Sequence, residues 1–285
     1  MKKTSTILCY LFILLAQFST EVNGKDKASP IDSIKVRQYM DSAFGSELFS
    51  ARRQLYLDSA LFLAPQYAWL WQQKAMPLFK QKKYELGLPY LDSAVKYDPE
   101  EWLDYRAFMK CIFQKAYEAS LIDFDASLLL KGNIATVQDH PYNFYKALCF
   151  LQLNKFEKAS ILLEGIIQEQ GSHLGKDWIH PLNWFYLGVA YYEQGKYYIA
   201  DSCFSSCLEL NKNFADCKYY KALCKEKTQE WENALNLMLN AQEDLKNGYS
   251  MNEDNSFYEA YPYQILPFYM NGWIDYLKKK TKVNK

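Results

Sequence analysis

Five consecutive residues, Tyr56-Leu57-Asp58-Ser59-Ala60, return letter for letter 34 positions later as Tyr90-Leu91-Asp92-Ser93-Ala94, and each copy is followed by a proline, Pro65 or Pro99. A repeat of this length holds one small supersecondary unit, which cannot bury its apolar face alone and must stack on its neighbours. The clearest unit shows what kind. Trp184, Leu187, Gly188 and Tyr191 recur at the spacing of one helical face, Gly195 can turn the chain, and Tyr197, Ala200, Phe204 and Cys207 form the face of a second helix. Gly188 and Ala200 are small where two crossing helices need room. The expectation is an all-α chain of stacked helical hairpins.

This pattern resembles the tetratricopeptide repeat. The resemblance implies an α-solenoid of about six helical hairpins closed by a C-terminal capping helix. The repeats fall near residues 31–65, 66–99, 100–133, 140–170, 181–214 and 215–248, within a repeat region of 25–255. In the second repeat Trp71, Ala75, Tyr84, Leu91, Ala94 and Pro99 match the family pattern, with Gly87 where alanine is usual. Pro77 departs from it and is expected to kink the first helix unless the turn comes early. The third repeat is looser, with Tyr117, Ser120, Phe124 and Ser127 following the second-helix pattern. In the fourth, Ala147, Phe150, Phe156, Ala159 and Leu163 are in register. An insertion around Gly171 to Trp178 separates the fourth and fifth repeats, and loop insertions in such stacks lie along one edge. In the sixth, Ala222, Trp231, Ala234, Met238 and Ala241 keep the register while Lys225 replaces the usual aromatic.

Both ends depart from the pattern. Ser29-Pro30-Ile31-Asp32 reads as a helix start, with Ser29 as N-cap. At the other end, Tyr258-Glu259-Ala260-Tyr261-Pro262-Tyr263 is too rich in proline and aromatics for a seventh repeat. Leu266, Tyr269, Met270, Trp273 and Leu277 then follow at helical spacing, opposite Asn271, Asp275, Lys278 and Lys279. Residues 256–285 are therefore expected to cap the stack and end in a basic tail.

Ahead of the repeats, Lys2 and Lys3 precede an apolar run from Ile7 to Ala16, shorter than the roughly 20 residues a membrane-crossing helix needs. Residues 1–24 read as a signal peptide cleaved near Gly24, which implies export to the periplasm or beyond and no integral span in the mature chain. Removing Lys2, Lys3 and Glu21 turns 33 basic against 33 acidic residues into 31 against 32. Such a balance supplies no field for nucleic acid.

Catalytic motifs are missing. The sequence has no phosphate-binding glycine loop, no His-Glu-x-x-His pair and no nucleophile elbow, and Asp58 and Asp92 repeat with the architecture. Two of the three histidines, His140 and His180, precede proline at expected helix starts, where capping or turn-making accounts for them. Cys111, Cys149, Cys203, Cys207, Cys217 and Cys224 fall where small core residues belong, so free thiols are expected in spite of an oxidising compartment. The reading is a non-enzymatic protein without cofactor or metal.

In tetratricopeptide proteins the first helices line a concave groove, and the resemblance carries this to positions outside the packing signature. Here these are apolar: Trp69 and Met76, with Gln72 and Phe79; Tyr105 and Met109, with Ile112; Phe144 and Leu148, with Leu151; Phe185, Val189 and Tyr192; Tyr219 and Leu223. The lysine and asparagine clamp that some family members close on a terminal carboxylate is missing. The expected partner is an apolar or aromatic segment of a protein or peptide. Glycan stacking on aromatic platforms, or a purely structural role in an envelope assembly, stand as alternatives. The aromatic stretch from Tyr258 to Tyr263 is long enough to fold back into that groove.

Overall fold

A computed structural model describes residues 30–132, 136–173, 175–253 and 255–283. The expected signal peptide and the expected Ser29 N-cap lie outside them. The fold is an all-α tetratricopeptide-repeat solenoid, with six helical hairpins and a C-terminal capping helix among the described residues. The chain divides into two compact units, Met1–Tyr67 and Ala68–Lys285.

The first unit holds one hairpin, α1 (Pro30–Phe44) and α2 (Ala51–Leu63). Val36, Ala43, Leu57, Ala60 and Leu61 are buried in it. Ser50 caps α2 by accepting a hydrogen bond from the Arg53 amide at 3.2 Å, satisfying one of the helix's orphan donors. The Arg53 guanidinium donates to the Ala43 carbonyl at 3.2 Å and lies over the Phe44 ring, 4.6 Å from its centroid.

The second unit holds five hairpins: α3 (Ala68–Lys80) with α4 (Tyr84–Tyr97), α5 (Pro99–Ile112) with α6 (Tyr117–Lys131), α7 (Tyr142–Gln152) with α8 (Phe156–His173), α9 (Pro181–Glu193) with α10 (Tyr197–Leu210), and α11 (Ala215–Lys227) with α12 (Trp231–Lys246). Each turns at one left-handed residue: Lys82, Lys115, Asn154, Gly195 and Gln229, with φ between 55° and 74°. Only Gly195 carries no Cβ penalty there. Pro77 sits in the last turn of α3, which continues to Lys80; the backbone bond it removes is the single one its amide would give the Gln73 carbonyl.

Close approach explains the small residues. A Cβ at Gly188 would lie 2.5 to 2.8 Å from the Phe204 ring, and one at Gly87 would lie 2.7 Å from Phe79. Lys225, where an aromatic is usual, instead pairs with Asp201 at 3.3 Å and Glu230 at 3.1 Å. Asp92 receives the Arg106 guanidinium at 2.8 Å, while Asp123 takes Arg106 and Lys110 together.

Two features depart from the sequence expectations. A β-hairpin of β1 (Thr136–Val137) and β2 (His140–Pro141) precedes α7. Gln138 and Asp139 turn it with positive φ, as a tight two-residue hairpin requires. The capping helix α13 (Phe268–Val283) buries Met270, Ile274 and Leu277 against Ala222, Leu223, Ala234 and Met238. Tyr269 and Leu266, expected on that face, are 49% and 42% exposed, because the buried stripe runs through Ile274 instead.

Candidate functional site

Between α12 and α13 the chain does not simply connect. Residues 249–253 and 255–267 start beside the N-terminal end of α11, run across the first helices of the second unit, and return. At the outset the Ala215 amide donates to the Tyr249 carbonyl at 2.9 Å. Asp216, in the first turn of α11 and fully buried, accepts hydrogen bonds from Ser250 Oγ at 2.8 Å and the Met251 amide at 2.9 Å. The same carboxylate accepts from the Ile265 amide at 2.8 Å, so one side chain holds both ends of the excursion. This is an Ω-like loop closed at its neck.

Along the outward limb, Glu253 meets His140 Nε2 at 3.1 Å, and Asn255 donates to the Gln138 side chain at 3.2 Å. At the far end Lys80 lies over the Tyr258 ring at 4.5 Å. Glu259 accepts from Tyr84 Oη at 2.6 Å and pairs with Lys82 at 3.2 Å. The returning limb is read through its backbone: Lys115 Nζ donates to the Ala260 carbonyl, and Tyr186 Oη donates to the Pro262 carbonyl at 2.9 Å. Tyr261 is buried in the main core, and Tyr263 meets the Tyr220 ring edge-on at 5.9 Å.

The site's ionisable groups follow from this enclosure. Burial pushes the Asp216 carboxyl above its usual range, against the pull of the hydrogen bonds that favour its charged form. Desolvation also holds Lys115 below the usual lysine range, with nearby Glu259 opposing it. Burial first, and then Glu259, raises Tyr84; burial raises Tyr186. His180 is lowered by desolvation and by neighbouring His140, with Glu253 opposing.

An open groove surface does not extend to most of the residues expected to line it. Phe144, Leu148, Phe185 and Val189 are wholly buried, and Met109 nearly so. The reason is packing between consecutive helices and beneath them. His140 stacks on Phe144 with centroids 4.0 Å apart, and Phe204, Phe214 and Tyr220 close around Phe185. Tyr219 and Leu223 lie in the cluster under α13. Trp69, Met76, Tyr105 and Tyr192 stay half-buried. The loop is instead contacted by Tyr84, Lys115, His140, Tyr186, Asp216 and Tyr220. Tyr186 and Tyr220 each follow directly on a residue that the resemblance placed in the groove, Phe185 and Tyr219, and one position is about 100° of helix rotation.

Along the edge, α8 runs on to His173 and a 3₁₀ turn, Lys176–Trp178, follows; Trp178 is 74% exposed. Beside it a cleft of about 530 Å³ is lined by Trp184, Gln168, Asp177, Ser206 and Glu209 among others. No helix among the described residues is long and apolar enough to cross a membrane.

No family model matches the sequence, and no curated protein does. Solved structures do resemble the fold. PilW, described as a widely conserved type IV pilus biogenesis factor, superimposes with a TM-score of 0.59 at 17% identity, over 77% of this chain and 96% of its own. Yeast Tom70 gives 0.56 at 13% identity, covering 88% of this chain and 48% of Tom70. MamA from Desulfovibrio magneticus RS-1, residues 41 to the end, gives 0.52 at 14% identity over 63% and 96%. All three are tetratricopeptide-repeat proteins.

Proposed function

We propose that this chain, which has the tetratricopeptide-repeat fold, is a non-enzymatic protein-interaction scaffold whose first-helix face binds a looped segment rich in proline and aromatic residues. One observation carries the reading: that face already holds such a segment, its own residues 249–253 and 255–267, through bonds to the segment's backbone as well as to its side chains. Backbone recognition tolerates sequence change, while burial of an aromatic side chain, as at Tyr261, selects the segment's chemistry. A partner segment of the same chemistry binds in place of the resident loop. Export to a cell envelope is part of the proposal and rests on the charged, apolar N-terminus.

The test is a titration of a fluorescent peptide with the sequence of residues 249–267 onto the full chain and onto Tyr261→Ser. That substitution loosens the resident loop and leaves the receiving face intact. Losing one buried aromatic side chain weakens the loop by about 1.5 to 3 kcal/mol, so the variant binds the peptide at least about tenfold more tightly. Equal binding by the two proteins, or equal binding of a scrambled peptide, would sink the reading.

A second reading attaches to the cleft at the insertion. Trp184 lines it together with Gln168, Asp177 and Glu209, an aromatic ring among an amide and two carboxylates, the residue types that sugar binding uses. Glycan-array binding that Trp184→Ala abolishes would support it.

A further inference from the structure

We propose that His140, His180 and Glu253 form a site for one divalent transition-metal ion of the zinc class, which pins the outward limb of the loop to the first helices. His140 Nε2 and Glu253 Oε2 are 3.1 Å apart, and the ligand atoms of all three residues lie within 4.8 Å of one another. A tetrahedral ion with bonds of about 2.0 to 2.1 Å holds its ligand atoms about 3.3 to 3.4 Å apart. The first pair is just inside that spacing, and His180 completes the set by moving its ring, whose Nδ1 accepts a hydrogen bond from the Leu182 amide at 3.3 Å.

Three separate segments deliver these groups, and two of them are stiff. His140 belongs to the β-hairpin; its ring is stacked on Phe144, meets Tyr145 edge-on at 5.8 Å and is almost wholly buried. His180 stands at the N-cap of α9, fixed by the following Pro181, with its ring 4.8 Å from that of His140. Because His140-Pro141 and His180-Pro181 open the first helices of consecutive hairpins, stacking brings the two imidazoles together. Glu253 comes from the loop.

The donor set selects the ion. Two imidazole nitrogens and one carboxylate suit zinc and its neighbours, whereas calcium and magnesium prefer oxygen throughout. Three protein ligands leave a fourth position open. A cavity of about 190 Å³ adjoins the cluster, lined also by Gln138, Asp139, Asn252, Asn255 and Tyr261. It has room for a metal-bound water and polar groups to orient one, and Asp139 offsets the positive charge that a single carboxylate leaves. Among the described residues, this is the one convergence of three such side chains.

Metal-stripped, tag-free full chain is titrated with Zn²⁺ and with Co²⁺. One ion binds per chain. The Co²⁺ complex shows visible bands of a four-coordinate nitrogen and oxygen site, without the near-ultraviolet thiolate band that the cysteines would give. Zn²⁺ slows proteolytic cleavage within residues 249–267. Because losing even an outer-shell partner weakens metal sites by about 10- to 100-fold, His180→Ala, which removes the most accessible ligand, weakens binding at least about 100-fold. Glu253→Gln, a change in the loop that leaves the repeats untouched, gives the same loss and restores rapid cleavage in Zn²⁺. Wild-type affinity no greater than that of Glu253→Gln, or a Co²⁺ spectrum showing thiolate ligation, would overturn the proposal and leave His140 and Glu253 as a hydrogen-bonded pair.

Discussion

At the scale of single residues, what matters most is whether a side chain has room. Gly188 does not: an added methyl would press on the Phe204 ring. Overpacking of this kind costs about 1 to 3 kcal/mol, more than the roughly 0.5 to 1 kcal/mol by which alanine favours a helix over glycine. Gly165, in α8, meets nothing within 4 Å at the same added atom. Gly188→Ala is therefore expected to lower the melting temperature and Gly165→Ala to raise it. Denaturation of the two variants beside wild type checks both signs at once. A Gly188→Ala protein as stable as wild type would mean that the helices separate freely at this crossing.

Among the elements, the loop of residues 249–267 depends on one carboxylate. Asp216 satisfies two backbone amides that lie far apart in sequence, and leaving a buried donor without a partner costs about 1 to 3 kcal/mol. Its raised pKa sets the sign of a pH effect. The folded state holds the proton more tightly than the unfolded chain, whose value is near 3.8, so the stability gained from this group is fully present below that value. It is lost as pH climbs through the higher folded pKa. Asp216→Asn cannot titrate, so the stability difference between wild type and variant, measured in urea from pH 3.5 to about 7, is expected to shift toward the variant as pH rises. A difference that is flat, or moves the other way, would show that the three hydrogen bonds outweigh desolvation.

Across the whole molecule, the six cysteines of the described residues share one environment. All are free and at most 6% exposed. Cys149 Sγ donates a hydrogen bond to Cys111 Sγ at 3.5 Å with no disulfide between them, and burial pushes Cys203 and Cys224 up to about 12. Thiolate is the reactive form, so the native protein at pH 8 is expected to react slowly with a disulfide reagent. Denaturation without reductant should release all six. A shortfall of two or more would establish disulfides that the helical positions disfavour.

The sequence by itself determined the repeat, the helical hairpins, the small residues at their crossings and the cap, because each of these rests on contacts between neighbours in the chain. Gly188 and Phe204 belong to one hairpin, and the recurring Tyr-Leu-Asp-Ser-Ala states the period outright. Stacking of that kind is nearly one-dimensional and leaves a periodic trace. Which apolar residues face outward was not legible, since Phe185 and Tyr186 are both aromatic and only the rotation of α9 distinguishes a core side chain from one that bonds to the loop. The loop's path was decided by tertiary structure alone. Asp216 reaches Ile265 across 49 residues and His140 reaches Glu253 across 113, separations that follow no period. Nothing local marks an aspartate in a first helical turn as the clasp of a distant loop, because that carboxylate also suits the helix's positive end, and only burial beside two unpaired amides gives it the second role.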